Sequence, residues 1–227
     1  MNPGWNAAAD TAQPRARLVG ASEQLGLGCD AATLDRLLAY LALLQRWNRV
    51  YNLTAVRDPS EMLSHHLLDC LAVLPALRRH AGEQPLRVLD VGSGGGLPGA
   101  VLAMVQPHWD VSCIDAVAKK ASFVRQVAGE LALPNLHAVH GRVETLPAGP
   151  GFDVVVSRAF ASLVDFVSWT RGCIAPNGVW LAMKGRAPHD EVAALPKDVS
   201  VFHVEPLHVP ELKVQRCLVW LRPHEPG

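Results

Sequence analysis

The sequence predicts an α/β protein: a mostly parallel β-sheet with helices on both faces, a final antiparallel strand, and an N-terminal helical extension. Three observations carry this. From Leu86 to Leu221 short apolar runs alternate with helical segments, as strands joined by crossover helices do. Ahead of them, from Cys29 to Leu74, apolar residues recur at helical spacing. Between the two lies LRVLDVGSGGGLPG, Leu86 to Gly99, an apolar run, a glycine cluster and a proline suited to a first helical turn.

Taken in order, residues 1–16 read as a loose tail, 17–80 as the helical extension and 81–227 as the sheet domain, with extension and domain packed as one unit. Leu34, Leu37, Leu38, Leu41 and Leu44 mark the first helix, between Cys29 and Trp47, and Asp30 is placed to cap it. Asp58-Pro59-Ser60 opens a second, striped by Met62, Leu63, Leu67, Leu71 and Leu74; Pro75 stops or kinks it. Strands are expected at Leu86–Val91, Trp109–Ile114, Leu136–His140, Phe152–Val156, Val179–Met183, Val199–Val204 and Cys217–Leu221. Helices fit Leu97–Val105, Lys119–Leu131, Leu163–Cys173 and His189–Leu195. The last two runs have no convincing helix between them, which is why the final strand is expected to be antiparallel.

Composition narrows the function. Hydrophobic residues make up 49% of the 227, enough for a sizeable core. Lys and Arg number 21 and so do Asp and Glu, unlike the basic excess of a free-standing nucleic-acid binder. Any RNA contact therefore comes from a local patch, or with a partner already folded and protein-coated. The five cysteines are widely spaced, with no C-x-x-C, which reads as buried thiols in a reducing cytoplasm. No stretch resembles a signal peptide or a membrane span. A cytoplasmic monomer is the expectation.

Ligands of such sheets sit at the carboxyl ends of the strands. The glycine loop there satisfies two spellings. Gly94, Gly96 and Gly99, with Asp115 about 20 residues on, fit the dinucleotide fingerprint. Asp90, Gly92, Gly94 and Gly96 fit D-x-G-x-G-x-G, the first motif of S-adenosylmethionine (SAM) methyltransferases. A carboxylate ending the first strand would repel a pyrophosphate, whereas SAM carries an ammonium and a sulfonium. That favours SAM as cosubstrate, with Asp90 attracting its ammonium.

The other strand ends supply further candidates. Asp115 can accept both ribose hydroxyls of an adenosyl group, or simply cap the next helix. Arg142-Val143-Glu144 offers an amide and a carboxylate to adenine's edge. Arg158, in SRAF, can hold a carboxylate or phosphate, and Phe160 can stack on a base. Lys184 and Arg186, with Lys119, Lys120 and Arg125, make a candidate basic rim for RNA; solvated surface charge is the bland reading of each. His65, His66 and Asp69 invite a metal reading, since His65 and Asp69 are one helical turn apart, but no third ligand follows at metal spacing and no metal is expected. A methyltransferase of exocyclic amines would carry [DN]-P-P-[YF] where SRAF stands, and one acting on pyrimidine C5 would need a nucleophilic cysteine. Guanine N7 asks for neither, since its in-plane lone pair attacks without losing a proton.

With these residues assembled, the chain resembles the RsmG (GidB) family of bacterial 16S rRNA methyltransferases. The likeness runs from about Leu34 to Leu221 and rests on WNRVYNLTAVRDPSEMLSHHLLDCL, LDVGSGGGLPG, IDAVAKKASFV, GRVE, VVSRAFASL and LAMKG. The glycine motif is common to many methyltransferases; NLTAV ahead of HHLLD, and SRAF ahead of MKG, are far more specific. The resemblance implies a methyltransferase α/β domain with an N-terminal helical extension, and SAM-dependent formation of 7-methylguanosine in 16S rRNA. It also implies that Gly92 and Leu97 line the cofactor, that Val143 and Glu144 meet it at the adenine end, and that Arg158 completes the pocket. One departure is GSGGGLPG itself, with glycine where other members often have proline. Three readings stay open on the residues alone: an NAD-dependent oxidoreductase using the same loop, a methyltransferase acting on something other than rRNA, and a non-catalytic assembly factor. The neutral charge points to the small ribosomal subunit or a precursor, rather than naked RNA, as the substrate particle.

Overall fold

The computed structural model describes residues 7–147, 149–158 and 161–224. Seven strands form one sheet in the order β3-β2-β1-β4-β5-β7-β6. They are β1 (Arg87–Val91), β2 (Asp110–Asp115), β3 (Leu136–His140), β4 (Phe152–Arg158), β5 (Ile174–Lys184), β6 (Val199–Pro206) and β7 (Cys217–Pro223). The first five run parallel, and β7 enters antiparallel between β5 and β6. Inner strands such as β1 are almost wholly buried, because helices cover both faces and leave no polar side. The mixed, mostly parallel sheet with an antiparallel final strand is the architecture the sequence predicts.

The extension begins with α1 (Ala7–Gln24) and α2 (Ala31–Tyr51). Helix α1 starts inside the stretch expected as tail, and Leu18 is the first buried residue among its described side chains. Asp30 caps α2, accepting the Thr33 amide at 2.7 Å, and Leu34, Leu37, Leu41 and Leu44 are buried along one face.

The second expected helix is broken into pieces: α3 (Pro59–Met62), a π-helical segment (Leu63–Leu68) and α4 (Asp69–Leu71). A wider π turn shifts the phase of the side chains that follow, and such segments gather at functional sites. The apolar stripe does not reveal it, since Leu63, Leu67 and Leu71 are buried either way. Pro75 falls in the first turn of α5 (Leu74–Ala81), where it forfeits no hydrogen bond.

Helices α6 (Gly99–Val105), α7 (Ala118–Glu130), α8 (Leu163–Thr170) and α9 (His189–Ala193) complete the layers. The core divides at the sheet. One cluster joins the leucines of α2 and the π segment to α6 and α7; the other joins α8 to the opposite face. No helix among the described residues is long and apolar enough to cross a membrane.

Candidate functional site

Register brings the candidates to one edge. Val91 pairs with Ile114, Asp115 with His140, and Arg158 with Met183, so the carboxyl ends of β1 to β5 open on the same side. There the chain turns at Gly92, Gly94 and Gly96, with φ of 66°, 58° and 82°, a region that suits glycine. A Cβ on Gly94 would meet no atom within 4 Å. At Gly94 the loop therefore presents bare backbone to open space, while Gly96 packs against Val124.

Asp115 secures that loop. Its Oδ2 accepts the Gly94 amide at 3.0 Å and its Oδ1 the Val117 amide at 2.8 Å, with Lys120 Nζ 3.7 Å away. Ligand-facing and capping roles thus meet in one residue. Asp115 also lines a cleft of about 470 Å³ with Gly92, Lys120, Val143, Glu144 and Trp169, a volume within the range of small-molecule and cofactor sites. Trp169 escapes sequence reasoning, because its helical stripe reads as core. It stands 41% exposed on α8 at the end of the cleft that holds Glu144.

Asp90 lies beneath the loop and is fully enclosed. Its Oδ2 accepts the Gly99 amide at 2.8 Å, and its Oδ1 has no partner among the described residues. Burial pushes its pKa up to about 7, against the Gly99 amide and the Arg158 charge. A buried carboxylate with a spare lone-pair atom suits a cation in the cleft above. A Cβ on Gly99 would fall 2.3 Å from Cys113 Sγ, so only glycine lets α6 start this close to β1 and β2. Leu97 is buried in the core.

Arg158 takes a different path from the adenine end. Its Nη1 donates to the His65 carbonyl at 2.9 Å and to Asp69 Oδ2 at 3.3 Å. Arg216 Nε reaches the other oxygen of Asp69 at 3.0 Å. One nearly buried carboxylate thus ties the end of β4, the π segment and the stretch before β7 together. The π segment turns the His65 carbonyl and Asp69 into a single receptor for Arg158; the sequence offered Asp69 only as a metal ligand and gave no signal for Arg216. His66 Nε2 lies 2.9 Å from Thr54 Oγ1, and burial, with Arg158 nearby, drops its pKa to about 4. It is a neutral structural imidazole.

Helix α2 closes the loop from above, and Tyr40 donates from its hydroxyl to the Gly95 carbonyl at 2.7 Å. The expected basic rim is partly occupied. Lys184 pairs with Glu191 at 2.8 Å, and Lys120 lies beside Asp115. Lys119, Arg125 and Arg186 are exposed; Phe160 lies outside the described residues. The structure thus gathers Gly92, Asp115, Val143 and Glu144 around one cleft, and sets Asp90 and Leu97 behind it and Arg158 beside the extension.

Known proteins resemble this chain in sequence and in fold. The model of a family described as rRNA small subunit methyltransferase G matches residues 33–219. Proteins named ribosomal RNA small subunit methyltransferase G are similar along most of their length. The one from Acidovorax sp. (strain JS42) is 63% identical, over 88% of this chain and 91% of its own. That of Bordetella avium (strain 197N) is 54% identical, over 91% and 92%. Among solved structures, TrmN from Thermus thermophilus aligns at TM-score 0.54 and 22% identity, over 71% of this chain and 53% of its own. A SAM-dependent methyltransferase from Aquifex aeolicus aligns at 0.53 and 20%, over 72% and 93%. At such identities these two speak to the fold alone.

Proposed function

The chain belongs to the rRNA small subunit methyltransferase G family, and from that membership we propose that it moves a methyl group from SAM to N7 of a guanine in 16S rRNA. The observation carrying the cofactor is the cleft itself. Positive-φ glycines expose backbone on one wall, Asp115 and Glu144 supply carboxylates on others, and Asp90 holds negative charge beneath. No dinucleotide pyrophosphate would be drawn to so acidic a setting, which disfavours the oxidoreductase reading.

We assign Gly92, Gly94 and Gly96 to the methionine end, Asp115 to the ribose, and Val143 and Glu144 to adenine. Asp90 attracts the ammonium through the loop rather than by direct contact. When bound, SAM supplies an electrophilic methyl carbon on a positively charged sulfur. Guanine N7 offers a lone pair and releases no proton, so no general base is needed. The protein's task is to hold the reacting groups in line and exclude water. Arg158, pinned by Asp69 and the His65 carbonyl, sets the wall between the cleft and the extension, a positioning residue rather than a proton carrier. Extension and sheet domain would act as one unit, since α2 forms the roof of the glycine loop.

The test is transfer of label from SAM to undermethylated small subunits, with digested nucleosides resolved by mass spectrometry. Label in 7-methylguanosine is the expected result. Label in another nucleoside would remove the N7 assignment, and none at all, from protein that binds SAM, would remove the rRNA substrate.

A further inference from the structure

The middle of the extension carries a second, unassigned cavity. It opens where α2 ends and α3 begins, measures about 280 Å³, and is lined by Gln45, Asn48, Arg49, Asn52, Arg57 and Met62. Two guanidiniums and three carboxamides line it, and no carboxylate. We propose that this cavity binds a phosphodiester of the RNA substrate, so that the N-terminal extension is the enzyme's RNA clamp.

Four observations converge. Neither Arg49 nor Arg57 forms an ion pair among the described residues; Arg57 has only the Asn52 carboxamide, at 3.5 Å. Two cations held close without a counter-charge suit a phosphate, which guanidinium forks bind through paired hydrogen bonds. Gln45 and Asn52 beside them add donors for phosphate and 2′-hydroxyl oxygens, while Asn48 gives its Nδ2 to the Val56 carbonyl at 3.3 Å. The cavity is smaller than most dedicated small-molecule sites, about 300–1,000 Å³, which fits one unit of a chain anchored elsewhere. Tyr51, 42% exposed at the end of the same helix with its ring 5.1 Å from that of Trp47, gives a base a surface to stack on.

The cavity is also wired to the methyl-transfer side. Asn48 lines it while its Oδ1 accepts the Thr54 amide at 2.8 Å. Thr54 meets His66, and the neighbouring His65 carbonyl receives Arg158. A backbone held at Arg49 and Arg57 is therefore held against the same framework that positions Arg158. The rim lysines suit this role less, because Lys120 and Lys184 already face carboxylates.

This inference rests on the rRNA reading above, and its test separates the two. Arg49→Ala/Arg57→Ala would be assayed on undermethylated small subunits over a range of salt concentrations. Both side chains are exposed, so the fold and SAM affinity by calorimetry should hold. The expected result is a KM for subunits raised about tenfold with kcat little changed, and a log–log salt slope shallower by about 1, as for one lost phosphate contact. Arg49→Lys/Arg57→Lys should recover most of the slope, because the point charges remain. Unchanged KM and slope in the alanine variant would overturn the clamp, as would a loss confined to kcat. If the unaltered enzyme labels no subunits, the rRNA reading fails and the clamp with it; if it labels them and the alanine variant does so with the same KM and salt slope, only the clamp fails.

Discussion

At Asp90 the fold and the ligand make opposite demands on one carboxyl group. Burial raises its pKa to about 7, partly offset by the Gly99 amide and Arg158, while the Asp115 charge adds to the rise. A folded pKa above the unfolded value means a stabilising contribution that is complete below about pH 4 and lost as pH passes about 7. A cation over the loop favours the charged form. SAM affinity in the wild type should therefore weaken below pH 7, approaching tenfold per unit, beyond any change in Asp90→Asn. Calorimetry in buffers of different ionisation heat would show the released proton, and equal pH profiles for the two proteins would sink the idea. Gly94 makes a second residue-level test. At φ 58° with open space around it, Gly94→Val should cost about 1–2 kcal/mol in backbone strain, yet lose SAM binding outright. Retained affinity in a folded variant would remove the loop from the cofactor site. Both residues were legible in the sequence, since a glycine motif states its own backbone need. Asp90's enclosure was not, because no local pattern says how deep a strand end will lie.

Helix α2 meets the glycine loop through the Tyr40 hydroxyl and the Gly95 carbonyl, and a Cβ on Gly95 would press to 3.1 Å of Leu44. Tyr40→Phe leaves that carbonyl without its partner in a buried setting, a loss of about 1–3 kcal/mol. Because the loop is the part released, the thermal midpoint should fall and the SAM dissociation constant rise several-fold together. A fall in midpoint with unchanged SAM binding would show that the roof is structural only. The elements of the sheet were legible from period and turn residues, as Asp30 and Pro75 illustrate. The π segment was not, because Leu63, Leu67 and Leu71 satisfy an α stripe equally well. Only the tertiary demand that His65 and Asp69 both meet Arg158 distinguishes them. The Arg49 and Arg57 cavity was hidden for a related reason: the end of α2 and the turn after it, including Asn52 at φ 49°, separate side chains that share one wall.

Across the whole molecule positive and negative side chains balance, 21 against 21, so long-range attraction to RNA is weak and shape must supply affinity. In the labelling experiment, small subunits should therefore outperform their stripped RNA, and the gap should persist as salt rises. Equal transfer to both would show that local sequence is enough. The chain is also drawn together at a single point. Asp69 receives Arg158 from 89 residues ahead and Arg216 from 147 residues ahead. At synthesis rates of about 5–20 residues per second, the second of these arrives roughly 7–30 s after the aspartate itself. Until then the growing chain holds an acid destined for burial with at most one of its two arginines, so the knot that joins extension to sheet is completed only when nearly the last strand is made.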